Sequence, residues 1–291
     1  MSRLQGLAVA ATVVVAIAAI AACSSSAATA HHRKRQRKHS PLLPGSSPRW
    51  NGDLSTGNLS QWGYVQSCPG GITVGPDPLG GPGHVSKFSV SDQSVSANCP
   101  ILGSPGNPSA SLLSPGLFTP GGNVYIGFST LFPARFPAIC TPWVRACWMQ
   151  VMELYGQPFH GSSPVAIGVV GDRLVLANHR RTIWTSSQNI TKGTAWEDVV
   201  IHVVLSTDPK IGYVELWNNG AQQSFINGSR RWFEATLDPG VNWDGVHPDK
   251  LRLDEYRGPN PAMGRVVIYQ RSAMVGPTYA SVAPHVGASA G

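Results

Sequence analysis

The chain has 291 residues, with 22 Lys and Arg against 15 Asp and Glu and a pI near 9.4. Six of the cations (Arg3, Arg33, Lys34, Arg35, Arg37 and Lys38) and no acid lie in residues 1–39, which leaves 16 cations against 15 acids in the remainder. That remainder is near neutral, which excludes nucleic-acid binding by a basic folded face.

In chain order, Met1–Ala22 has one Arg, an apolar stretch from Leu7 to Ala22 and small residues before Cys23. The pattern predicts a secretory leader rather than a permanent membrane span. Ile20-Ala21-Ala22-Cys23 also resembles a bacterial lipobox, in which Cys23 becomes a lipidated N-terminus and a membrane anchor. Simple secretion and an uncleaved anchor are the alternatives, and all three place the following domain outside the cytoplasm. Residues 23–48 are polar and low in complexity, with a basic run at His31–His39, and read as a disordered tether. The tether either adheres to anionic lipid, wall polymer or polysaccharide, or acts as a solvated spacer.

Residues 49–285 are expected to form one domain, followed by a tail at 286–291. Across the chain, 32 Gly and 24 Pro punctuate short apolar segments, and no long segment has helical periodicity. Predicted strands are His84–Val90, Asn123–Phe132, Cys147–Tyr155, Val165–Val170, Arg173–Asn178, Val199–Ser206, Tyr213–Asn218, Leu251–Arg257 and Arg265–Gln270. Val170-Gly171-Asp172-Arg173 and Asn218-Asn219-Gly220 read as hairpin turns. A short helical turn fits around Trp243–Pro248. This pattern predicts an all-β fold, a single jelly-roll sandwich with long loops, and a monomer. Cys68, Cys99, Cys140 and Cys147 form an even set, which in an exported chain favours disulfides. Three pairings are possible, and sequence proximity favours Cys68–Cys99 with Cys140–Cys147. Neither the spacing nor a nearby His pair suggests zinc.

Three landmarks carry a resemblance. Trp50 to Trp62 (WNGDLSTGNLSQW) is similar to an opening GD-x-x-TG-x-L-S-x-W. Trp196 to Ser206, followed by Gly212 to Gly220 (GYVELWNNG), is similar to a W-x-D strand and a W-x-N-G hairpin. Leu251 to Tyr279 supplies a Tyr-Arg pair (Tyr256, Arg257), a polar loop, an apolar strand and a closing Gly-x-x-Tyr. In this order they resemble the heparin-lyase-like polysaccharide lyases, which include glucuronan lyases. The resemblance implies a concanavalin-like jelly roll with a saccharide groove on one sheet and an acidic polysaccharide as partner.

It also implies β-elimination at a uronic acid. That reaction requires neutralisation of the C5 carboxylate, a base for the C5 proton and an acid for the leaving O4. Where the family has Gln, one intervening residue and His, this chain has Glu153 and Tyr155, which strand alternation places on one face. The candidate catalytic residues are Tyr155, Tyr256 and His179, with Arg257 or Arg180 stabilising a Tyr155 phenolate. Glu153, Arg180, Arg257, His160 and Trp148 are the candidate substrate-binding residues. Tyr256 and Arg257 alternate, so only one can face the groove. Trp184 and Trp232 are either sugar platforms or core. No metal or cofactor is assigned; a structural calcium at Asp53 is weighed against a plain turn aspartate.

Two other functions fit the same fold. A glycoside hydrolase needs two carboxylates about 5–10 Å apart, whereas the Glu153 strand offers one and Asp254 and Glu255 face opposite ways. A non-catalytic carbohydrate-binding module fits the departure at Glu153 and Tyr155. A serine protease or esterase lacks its Gly-x-Ser-x-Gly elbow.

Overall fold

The computed structural model describes residues 49–100, 102, 106–134, 136–137, 148–156, 163–179, 181–193, 195–237, 250–260 and 263–283. These lie in the unit Leu42–Gly291, the other unit being Met1–Pro41. Cys23, the leader, the tether, Cys140, Cys147, His160, Arg180 and the helical turn at Trp243–Pro248 lie outside the described residues.

The chain begins with β1 (Trp50–Asn51), β2 (Tyr64–Gln66), β3 (Ile72–Pro76) and β4 (His84–Val90). There follow β5 (Ser109–Leu113), β6 (Asn123–Leu131), β7 (Met149–Tyr155), β8 (Ala166–Val170), β9 (Arg173–Asn178) and β10 (Arg181–Thr185). After a 3-10 turn at Ile190–Lys192 come β11 (Glu197–Val204), β12 (Tyr213–Asn218), β13 (Ala221–Gln222) and β14 (Trp232–Phe233). Last are β15 (Lys250–Arg257), β16 (Val266–Gln270), β17 (Met274–Gly276) and the one-turn helix α1 (Tyr279–Val282).

All pairings are antiparallel and form two sheets. A ten-stranded sheet runs β13-β12-β11-β6-β16-β4-β3, with β1, β14 and β17 attached, and a seven-stranded sheet runs β10-β9-β8-β7-β15-β5-β2. The chain changes sheet repeatedly, as in a jelly roll. Alternation supplies the core between the sheets. Phe88, Ile126, Phe128, Ile201, Leu216 and Ile268 come from the larger sheet, and Leu112, Ile167, Leu176, Leu251 and Leu253 from the smaller. Trp184 and Trp232, weighed as sugar platforms, belong to this core.

Both predicted hairpins form. Val170 pairs with Arg173 across Gly171-Asp172, and Asn218 pairs with Ala221 across Asn219-Gly220. Asn219 and Gly220 have φ of 51° and 79°, the positive pair that a tight two-residue hairpin requires. The predicted Cys68–Cys99 disulfide is present, joining the segments that follow β2 and β4.

The two central strands of the smaller sheet are irregular. The β15–β7 register shifts between Leu253 and Tyr256, and the β7–β8 register shifts between Gln150 and Met152. Val151 and Met152 are consequently both core residues. A bulge leaves ladder groups unpaired, and the opposite sheet supplies a partner: the fully buried Gln270 of β16 donates from Nε2 to the carbonyls of Val151 (2.9 Å) and Asp254 (3.2 Å).

Candidate active site

The outer face of the smaller sheet, away from the core, can be read from its register. On β15 the apolar Leu251 and Leu253 point inward, so Arg252, Asp254 and Tyr256 point outward. Cross-strand partners share a face. Glu153 lies opposite Arg252 on β7, Gln150 opposite Tyr256, Tyr155 opposite Lys250, and Ser111 opposite Asp254 on β5. Ala166 and Gly168 of β8 pair with Glu153 and Gln150, so the floor beside them is built of small residues.

Arg252 lies at the centre. Its Nη1 donates to Glu153 Oε1 at 2.7 Å, its Nη2 to Ser111 Oγ at 2.8 Å, and its Nε lies 2.8 Å from Asp254 Oδ1. The rings of Tyr155 and Tyr256 each lie 5.2 Å from the guanidinium carbon. Tyr256 Oη accepts from Asn107 Nδ2 at 3.0 Å, and its ring meets Trp148 edge-on at 4.8 Å. Tyr155, Tyr256, Trp148 and Gln150 are half-buried, whereas Glu153 and Asp254 are only 1% and 0% exposed.

Burial sets the electrostatics. Removal from water pushes the Glu153 carboxyl up to about 7; Arg252 opposes the shift and Asp254 adds to it. The Asp254 carboxyl is also raised by burial, against the pull of Arg252 and Ser111. Burial alone would lower the Arg252 guanidinium, but Asp254 and Glu153 reverse this and raise it. Two carboxylates thus share one permanent cation.

The predicted site residues divide clearly. Tyr155, Tyr256, Glu153 and Trp148 come together around Arg252. His179 does not join them: it sits at the β9–β10 turn with φ of 43°, and its Nε2 lies 3.2 Å from the Ala235 carbonyl oxygen. Two strand spacings separate β9 from β7, about 10 Å. Arg257 must be corrected as a groove residue. It is fully buried on the core side, where it donates to Asp92 Oδ1 (2.8 Å) and to the Gly264 carbonyl (2.9 Å), with Glu255 Oε1 3.6 Å from its Nε. Tyr256, not Arg257, therefore faces outward.

Asp53 accepts from both the amide (2.8 Å) and the hydroxyl (2.5 Å) of Ser55, the turn arrangement weighed against calcium. Among the described residues no group of three or more His, Cys, Asp or Glu is placed to hold a metal, and no step is assigned to one.

Sequence reasoning missed Arg252 as a site residue, together with Asp254, Ser111 and Asn107. The available signal was Arg252-x-Asp254-x-Tyr256, which period-2 alternation places on one face.

A family model described as polysaccharide lyase matches residues 54–233, more than half of the chain. No curated protein sequence matches. Among solved structures, alginate lyase vAL-1 from Chlorella virus is similar at 14% identity, over 79% of this chain and 99% of that one, with a TM-score of 0.49. A GH131 β-glucanase catalytic domain from Podospora anserina is similar at 13% identity, over 79% and 95%, with a TM-score of 0.49. Alginate lyase AlgAT5 of polysaccharide lyase family 7 is similar at 9% identity, over 69% and 80%, with a TM-score of 0.44.

Proposed function

Because the chain belongs to the polysaccharide lyase family, we propose that it cleaves a uronic-acid-containing polysaccharide by β-elimination on the outer face of the seven-stranded sheet. The observation that carries this reading is the placement of two tyrosines on either side of one buried guanidinium, 5.2 Å from each ring.

In the reaction, a base removes the C5 proton and the freed electron pair becomes the C4–C5 double bond. The C4–O4 bond breaks, and an acid returns a proton to O4. Atoms and charge balance without a cofactor. Phenol oxygens of Tyr155 and Tyr256 can take and give these protons, and Arg252 stabilises the negative charge that develops between them. Trp148 and Asn107 fix the Tyr256 ring and hydroxyl. The heparin- or glucuronan-lyase type is the finer form of this assignment and rests on the Trp50–Trp62, Trp196–Gly220 and Leu251–Tyr279 landmarks.

Export and lipid anchoring through Cys23 belong to the same proposal. The Met1–Cys23 pattern supports them, as does the Cys68–Cys99 disulfide, which suits an oxidising compartment.

A second reading, saccharide binding without cleavage, draws on the occupation of Arg252 donors by Glu153 and Ser111. A panel of glucuronan, alginate and heparin separates the two, because β-elimination creates an unsaturated uronide that absorbs in the ultraviolet. Cleavage of at least one polymer is expected, with Tyr256→Phe and Tyr155→Phe each lowering kcat by about 10²–10⁴ while leaving KM within a few-fold. Binding with no absorbance change on any polymer would leave the module reading. Full activity in Tyr155→Phe would remove that residue as base.

A further inference from the structure

Binding an acidic sugar on the outer face of the seven-stranded sheet calls for a cation whose donors are not already taken. Five cations lie in the strands of that sheet: Arg173, Arg181, Lys250, Arg252 and Arg257. Arg257 is buried on the core side with Asp92, Gly264 and Glu255. Arg173 donates to the Ser187 carbonyl and pairs with Asp172 at 3.3 Å, and Arg181 lies over the Trp232 ring at 5.0 Å. Arg252 lies between the two tyrosines, but its donors point at Glu153, Ser111 and Asp254, and it is only 7% exposed. Its charge is opposed by the two carboxylates it holds. Turning one of its donors to a substrate would strip a buried carboxylate of its partner, a costly exchange.

Lys250 differs in each respect. It opens β15, is half-buried, and alternates onto the same outward face as Arg252, Asp254 and Tyr256. Tyr155 lies directly across from it on β7, and the Cβ atoms of such a cross-strand pair stand about 5 Å apart. Among the described residues, no hydrogen bond or ion pair engages its ammonium group. A lysine carries a compact charge and three donors on a flexible four-carbon stem, so Lys250 can meet an anion without breaking an existing contact.

We propose that Lys250 binds the carboxylate of the uronate to be cleaved, and that this contact makes the site select acidic over neutral saccharides. The proposal rests on the lyase reading above and names the group that reads the substrate's charge. C5 of a uronate carries both the carboxylate and the proton to be removed. A carboxylate held at Lys250 therefore brings that proton to Tyr155 and leaves O4, on the neighbouring carbon, on the side of Tyr256. Two cations then divide the work. Lys250 neutralises the carboxylate, which eases removal of the C5 proton, while Arg252 stays tied to its carboxylates between the tyrosine rings.

The test is calorimetric binding of an oligoglucuronate and an oligoalginate to the full chain, each as the free acid and as its uncharged methyl ester. A Tyr256→Phe background suppresses turnover. The acid is expected to bind about 10–100-fold more tightly than its ester, the range for a hydrogen bond between charged groups. Lys250→Gln should weaken the acid by a similar factor and hold the ester within about twofold, so that the preference disappears. Lys250→Arg, which keeps the charge, should keep the preference. An ester that binds as tightly as the acid overturns the proposal with no Lys250 variant needed. A full preference for the acid in Lys250→Gln overturns it as well. The two readings fail differently. A preference that depends on Lys250, with no ultraviolet-absorbing product from the wild-type chain, rejects the lyase and keeps the carboxylate site. Product formation with the preference intact in Lys250→Gln rejects the Lys250 assignment and keeps the lyase.

Discussion

Arg252 donates to Glu153 at 2.7 Å and to Ser111 at 2.8 Å, approaches Asp254 at 2.8 Å, and lies between two tyrosine rings. Each contact limits what the neighbouring carboxyls can do. Glu153 titrates near 4.5 when unfolded, and burial raises it to about 7 in the folded chain. The folded state therefore binds the proton more tightly, and stability falls as pH rises from about 4.5 through about 7. The raised carboxyls of Asp254 and Glu255 act in the same direction. Melting curves of wild type and Glu153→Gln between about pH 5 and pH 8 isolate the Glu153 contribution. The wild-type Tm should drop relative to the variant as pH rises, and a constant difference would contradict the assignment. The chemistry of this strand was partly legible in the sequence. Alternation placed Glu153 with Tyr155, but Arg252 and Asp254 read as ordinary polar alternation. Only the β15–β7 pairing, across 99 residues of chain, shows that they meet Glu153. The Tyr256/Arg257 question was likewise closed to sequence, because alternation gives opposite faces without saying which is inside.

Among the elements, the bulged pair β7 and β15 sets the site. Their register shifts put Gln150, Glu153 and Tyr155 opposite Tyr256, Arg252 and Lys250, and Gln270 of the opposite sheet donates to the Val151 and Asp254 carbonyls there. Gln270→Leu leaves two buried acceptors without that donor, a loss of about 1–3 kcal/mol. The expected outcome is a lower denaturation midpoint with an unchanged m-value, and a kcat that falls more than KM rises. A loss of stability with unaltered kcat would show that the bulge does not depend on this clamp. Arg257 works beside it, joining Asp92 and Gly264 so that the segment after β15 is fixed and Tyr256 is held outward. The long regular strands were readable because clean alternation marks them: β4, β9 and β12 have the predicted limits. Those missed were short or lacked alternating apolar residues. β5 (SASLL) is buried at every position, and β10 carries a register shift between Thr182 and Trp184. Bulges were invisible for a similar reason, since an extra residue in one strand is defined only by its partner.

Taken as a whole, the molecule separates charge from fold. The basic run lies in residues 1–39, while the two-sheet domain is nearly neutral and buries a few of its ionisable groups, Arg252, Glu153 and Asp254 among them. An anionic polymer would then be held by the local arrangement around Arg252 rather than by a broad positive field, so salt should weaken binding only modestly. The jelly-roll class followed from turn-punctuated short strands, and the polysaccharide lyase match over residues 54–233 takes in most of the Trp50–Trp62 landmark and all of Trp196–Gly220, ending before Leu251–Tyr279. The polymer is not written in either, because turn spacing and landmarks specify the sheets and not the side chains that meet a sugar. The central claim is that bond cleavage here is elimination. Mass analysis of oligosaccharides released from glucuronan or alginate measures this directly, since elimination leaves a new end lighter by one water than hydrolysis would. Unsaturated ends that disappear in Tyr256→Phe are the predicted result. Saturated, hydrated ends, or release that persists unchanged in Tyr256→Phe, would contradict it.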